Sequence, residues 1–182
     1  MMVNLIQQMT NALIQIALFM LLPFIWWFVT ARRKSSFLDW IGFKPLKDTG
    51  NHKMWLWIFL GLLSFTIFSY LVLYTTVKDL KTATSSFAGL GFQALPAVLI
   101  YSLFQTSLPE ELLFRGFLLK RFSVRLPFGV ANTIQAALFG LLHGLMFITE
   151  VSWLQTLVII LCTGSIAAYL GFVNEKKSGG SI

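Results

Sequence analysis

The sequence predicts an all-α protein, a polytopic transmembrane helical bundle of about five spans with a broken half-helix at a Glu-Glu motif. Three observations predict it. The chain is 57% hydrophobic and only 12% charged, whereas a soluble domain carries about 25% charged residues. Its mean hydropathy is +0.76. Its apolar residues fall in runs long enough to cross a bilayer, about 20 residues each, with the basic residues between them.

The spans follow in order. Residues 12–31 form the first and 54–77 the second. A third apolar run begins near Phe92, reaches Leu108 and continues as the Glu-Glu segment through 110–122. The fourth covers roughly 128–148 and the fifth 152–173. The first run lacks a basic leader and an Ala-x-Ala-like exit, and Arg32, Arg33 and Lys34 follow it. It therefore reads as a retained helix and not a cleaved signal peptide. The tail from Lys176 is polar and has the composition of a loop.

The basic residues alternate as five spans require. Arg32, Arg33, Lys34, Lys44, Lys47 and Lys53 share one loop, Lys78 and Lys81 the next, and Lys120, Arg121 and Arg125 the third. Loop 149–151 has none, and the tail has Lys176 and Lys177. The positive-inside rule then places the N-terminus outside and the C-terminus in the cytoplasm of a plasma membrane. The net charge of +7 sets topology in short loops, so no nucleic-acid partner is expected. Cys162 is the only cysteine, which excludes an internal disulfide and a cysteine metal site.

Small residues recur at four-residue spacing: Ala136, Gly140 and Gly144 in the fourth span, Gly164 and Ala168 with Ala167 and Gly171 in the fifth. That spacing lets helices pack closely in lipid.

The chemistry concentrates in Ser107-Leu-Pro-Glu-Glu-Leu-Leu-Phe-Arg-Gly-Phe-Leu-Leu119. A charge at membrane depth costs about 2.5–3.5 kcal/mol on insertion scales, so three in six residues point to a functional site. Glu111 and Arg115 are spaced i, i+4 and can pair. Glu110 points about 100° away around the helix, and is better placed to face a cavity as a general base on water. A purely structural reading also fits: Ser107-x-x-Glu110 as a capping box beside a simple i, i+4 ion pair.

In the fourth span, Asn132, Ala136, Phe139 and His143 share one helical face. His143 could bond a carboxylate, orient a water or stabilise an oxyanion, or simply pack against a backbone carbonyl. Phe139 and Asn132 would line the substrate cavity. His52, in the basic loop, reads as solvated. A catalytic zinc needs three protein ligands as a rule, and the chain offers only His143 and two glutamates, with no His-Glu-x-x-His. No cofactor is therefore required, although a divalent metal such as zinc on Glu110 and His143 stays open. Ser102, Ser107 and Ser165 lack the Gly-x-Ser-x-Gly context of a serine hydrolase.

These motifs resemble the CPBP family, the CAAX-protease and bacteriocin-processing (Abi) intramembrane proteases. Its Glu-Glu-x-x-x-Arg is matched by Glu110, Glu111 and Arg115, within a typical Phe-Arg-Gly, and its Phe-x-x-x-His by Phe139 and His143. Thr163-Gly164 and Gly171-Phe-Val-Asn-Glu-Lys are similar to the stretch before the family's last conserved helix. The resemblance covers roughly 95–180. It divides the chain into N-terminal spans with a basic loop over 1–90 and a family-like core over 91–182. The family's third motif, a His followed four residues later by Asn or Asp, would fall about ten residues past Ile182, so the expectation is a core lacking that element, through a truncated coding region or loss of the helix.

The resemblance implies an endopeptidase in which Glu110 activates a water, His143 stabilises the oxyanion or orients the water, and Arg115 holds Glu111. It implies a peptide or protein substrate at the membrane, with the lipid bilayer as setting. Family members are often labelled metalloproteases. Bacterial relatives are associated with bacteriocin maturation or self-immunity, which adds a bacteriocin or its receptor as a partner and a bacterial origin as expectations. Two other readings remain: a non-catalytic immunity or scaffold protein, and a small transporter with Glu110 and His143 on an ion path.

Overall fold

The computed structural model describes residues 5–45, 52–77 and 82–182. Their regular elements are all helices joined by short turns, with no strand among them. Lys47, Lys78 and Lys81, on which the topology expectation partly rests, lie outside the described residues. Two compact units emerge: 1–43 with 81–117, and 44–80 with 118–182.

In the first unit, α1 (Leu5–Thr30) is about 39 Å long at 1.5 Å per residue, enough for a hydrocarbon core of about 30 Å. Pro23 sits inside it, buried. Short α2 (Phe37–Ile41) follows, started by the Ser36 side chain accepting from the Asp39 N–H and ended at Gly42, whose φ of 97° only glycine adopts readily. Trp27 Nε1 donates to Ser35 O at 3.0 Å and so fixes the chain between the two helices. Phe24, Trp27, Phe37, Trp40 and Phe117 form a run of ring contacts here. Arg32 lies over the Phe28 ring. An aromatic belt beside cations is what a membrane–water interface selects.

A 3₁₀ turn (Ala83–Phe87) and another (Gly91–Ala94) lead into the helical run that carries the charges. It comprises α4 (Leu95–Leu99), a π-helical segment (Ile100–Ser107), α5 (Leu108–Glu110), a second π-helical segment (Glu111–Leu119) and α6 (Lys120–Ser123). The Ser107-x-x-Glu110 capping box does not form. Ser107 is itself helical, at φ −62° and ψ −50°, and makes no side-chain cap. The winding changes instead of the chain breaking. Pro109 has no N–H, and in an α-helix its ring would crowd the carbonyl four residues back. The wider π turn relaxes that crowding, as where the Leu108 N–H reaches Leu103 O, five residues back.

The second unit contains α3 (His52–Val72), which runs into a π turn (Leu73–Val77), with α6, α7 (Phe128–Phe147) and α8 (Trp153–Lys176). Ser152 and Gln155 form a capping box at the start of α8. The α7–α8 pair is built on the predicted small residues. A Cβ on Gly140 would lie 2.4 Å from Ile160 O, one on Gly144 2.3 Å from the Ile160 side chain, and one on Gly164 3.2 Å from Ala136 O. On α3, Gly61 faces the Tyr169 ring, and the Tyr169 hydroxyl donates to Trp57 O.

Four helices among the described residues are long and apolar enough to cross a membrane: Leu5–Thr30, Trp55–Thr76, Phe128–Phe147 and Trp153–Lys176. The chain is a multi-pass membrane protein. The third expected span is the 95–123 run, which its charges and its changes of winding divide.

Candidate active site

In the first unit, Glu110 closes α5 and Glu111 opens the second π segment. Arg115 Nη2 lies 3.4 Å from Glu111 Oε1. The guanidinium is 1% exposed and the Glu111 side chain 31%. The i, i+4 spacing read from the sequence thus produces the pair it predicted. Pro109, Phe114 and Leu112 are buried around it. Glu110 is half-buried and one residue earlier than Glu111, so the two carboxylates leave the helix in different directions.

His143, in the second unit, is half-buried on α7. Its Nδ1 lies 2.9 Å from Phe139 O, and its ring stacks on Phe139 with centroids 4.3 Å apart. A carbonyl only accepts, so Nδ1 carries the proton in this bond, and Nε2 is the acceptor nitrogen of the neutral ring. The bond to a neighbouring backbone carbonyl is the one a packing role would also make.

Asn132 is buried with both ends of its amide engaged. Its Nδ2 donates to Ala168 O at 2.8 Å, and its Oδ1 accepts from Gln135 Nε2 at 2.9 Å. Gln135 also donates to Ala167 O at 2.9 Å and has no exposure. Gln135 escaped the sequence reading. Its signal was available, since it stands three residues after Asn132 in an apolar helix, where a second amide needs a partner.

The structure therefore joins Glu111 with Arg115, Phe139 with His143, and Asn132 with α8. Among the described residues no three His, Cys, Asp or Glu side chains gather to hold a metal ion.

A multi-pass helical membrane protein with a Glu-Glu-x-x-x-Arg constellation around a buried arginine is the class these features define. Residues 91–180 match the family model described as "Type II CAAX prenyl endopeptidase Rce1-like". Over those residues the chain is similar to the Rce1-like proteins, consistent with a CPBP-family protease. No curated protein and no solved structure matches the chain. At the level of the family, the match supports a CAAX-type intramembrane protease acting on a peptide substrate in a lipid bilayer. It lends nothing to the bacteriocin expectations.

Proposed function

We propose that this chain is an intramembrane endopeptidase of the CAAX type that hydrolyses a peptide bond with a Glu110-activated water. The observation that carries the reading is the ion pair of buried Arg115 with half-buried Glu111 inside the Rce1-like segment. It supports Arg115 as the residue that holds Glu111 and the local helix, and in this reading Glu110 is the general base.

The Glu110 carboxylate takes a proton from water as the water oxygen bonds to the scissile carbonyl carbon. The carbonyl π electrons move to oxygen. When the tetrahedral oxyanion collapses, the C–N bond breaks and Glu110 returns the proton to the leaving amine. His143 orients the water through Nε2 in its neutral form, and as an imidazolium would offer Nε2–H to the oxyanion. The Nδ1 bond to Phe139 O supports either use, because it fixes the ring plane. The alternating basic loops support an N-terminus outside and a C-terminus in the cytoplasm.

The test is cleavage of a prenylated Cys-a-a-X peptide by the purified full chain in lipid. Glu110→Gln should remove cleavage while the thermal unfolding midpoint stays near that of the parent. Cleavage that survives Glu110→Gln would overturn the assignment of the base. His143→Ala should lower the rate by about 10²–10³, the loss typical of one oxyanion-hole donor.

A further inference from the structure

The second unit is electrically lopsided. Lys120, Arg121 and Arg125, at and just after α6, and Lys176 and Lys177, around the end of α8, lie at one end of the α7–α8 pair, where Lys176 covers the Phe128 ring at the start of α7. The turn at the other end carries Glu150 and no Lys or Arg. The basic end holds an open cleft of ≈ 320 Å³ lined by Lys44, Lys120, Ser123, Glu175, Gly179 and Gly180.

The cleft is built, not merely exposed. Gly179 and Gly180 have φ of 68° and 71°, which turns the chain back over the end of α8. Gly180 N–H donates to Asn174 O at 2.8 Å, and Asn174 Nδ2 to Ser181 O at 2.6 Å. The Ser181 hydroxyl donates to Lys44 O, which brings Lys44 to the site. Lys120 Nζ donates to Gly180 O at 2.7 Å.

Two features of this wall are costly as they stand. Lys120 is drawn to Glu175 and is also repelled, more weakly, by Lys44 and Arg121, so one carboxylate faces an excess of positive charge. Glu175 Oε1 is buried with no hydrogen-bond partner among the described residues, and a carboxylate oxygen without a donor pays its desolvation in full. One ligand relieves both: a phosphate for the lysines and an ammonium for the glutamate. The cleft lies where α8 ends and the basic residues begin, the end of a spanning helix that basic residues hold near phospholipid headgroups by the positive-inside rule.

We propose that this cleft binds the headgroup of an aminophospholipid, its phosphate on Lys44 and Lys120 with the Ser123 hydroxyl, its ammonium on the Glu175 carboxylate. The site is independent of the peptidase reading, since it contains none of the residues assigned to peptide hydrolysis.

The test is native mass spectrometry of the purified full chain in detergent, titrated separately with phosphatidylethanolamine, phosphatidylcholine and soluble phosphoethanolamine. Phosphatidylethanolamine should bind about tenfold more tightly than phosphatidylcholine, whose trimethylated nitrogen has no N–H to give, a charge-assisted hydrogen bond being the difference. Glu175→Gln should reduce that preference severalfold. Lys44→Ala should weaken phosphatidylethanolamine binding, and it keeps the Lys44 backbone carbonyl that Ser181 uses, so the fold should survive. Lys120→Arg is the control that keeps the charge. Equal binding of the two lipids, or unchanged binding by Lys44→Ala, would overturn the proposal. Phosphoethanolamine bound as tightly as the lipid would assign the site to a soluble amino-phosphate and sink the lipid assignment.

Discussion

The helix that carries Glu110 and the α7–α8 pair face the same problem, polar groups within hydrocarbon, and answer it differently. The first unit buries an ion pair, Arg115 with Glu111, on a helix whose winding opens to π on both sides of α5. The second unit buries neutral amides. Asn132 and Gln135 donate to the carbonyls of Ala168 and Ala167, and glycines let the two helices close over them. The difference lies in what each can tolerate. An amide bonded to a carbonyl is content with one geometry. A buried charge must keep its partner, because an uncompensated charge is far more costly than an unmade amide bond.

The sharpest way to break the comparison is Arg115→Ala. It leaves half-buried Glu111 without this partner and should cost about 3 kcal/mol, the low end of the loss seen when one member of a buried pair is removed. The double variant Glu111→Gln with Arg115→Met should recover most of it. Equilibrium unfolding in mixed micelles reads both. If Arg115→Ala unfolds like the parent, the pair is not what holds this helix.

A smaller effect should come from the tightest approach in the second unit. A Cβ on Gly171 would sit 2.0 Å from Asn132 Oδ1 and 3.0 Å from Gln135 Nε2. Gly171→Ala must displace an amide that is already bonded at both ends, and overpacking of this kind costs about 1–3 kcal/mol. Asn132→Ala combined with Gly171→Ala should cost less than the two single losses added, because the clash then has no partner. Additive losses in the same unfolding assay would mean that Asn132 and Gly171 do not meet.

Much of this was legible in the chain, for identifiable reasons. The ends of α7 and α8 follow from Pro127 before one helix and Ser152 with Gln155 before the other, since caps act locally. The Glu111–Arg115 pair and the stripe from Ala136 to Gly144 follow from helical spacing. The winding of 100–119 does not follow. A π turn leaves no periodic signature in a stretch where nearly every residue is apolar, so Ser107 and Pro109 read as a helix start when the chain continues through them. Asn132, three residues earlier, hinted that Gln135 needs a partner, but the Ala167 carbonyl it meets lies 32 residues along the chain and leaves no local mark. The Glu175 cleft was beyond reach for a similar reason, since it depends on a glycine turn folding back onto α8.

The winding leads to the smallest stability effect and the most informative one. Pro109 stands between the two π segments, and its missing N–H is a local reason for the turn to open there. With Pro109→Ala the N–H returns, and the α-helical bond to Gln105 O becomes available. Stability should then change little, within about 0.5 kcal/mol in the same assay, because a restored bond offsets the loss of a rigid residue. The carboxylates downstream should move, because each π turn that rewinds to α rotates every later side chain about the axis. If Glu110 acts as the base, peptide cleavage should fall by about 10²-fold, the scale of an ångström's misplacement in an active site. A Pro109→Ala chain that keeps both its stability and its cleavage rate would show that the wide turns are indifferent to the chemistry. One that keeps its stability and loses the rate would show that the first unit holds its charges on an open helix in order to aim them.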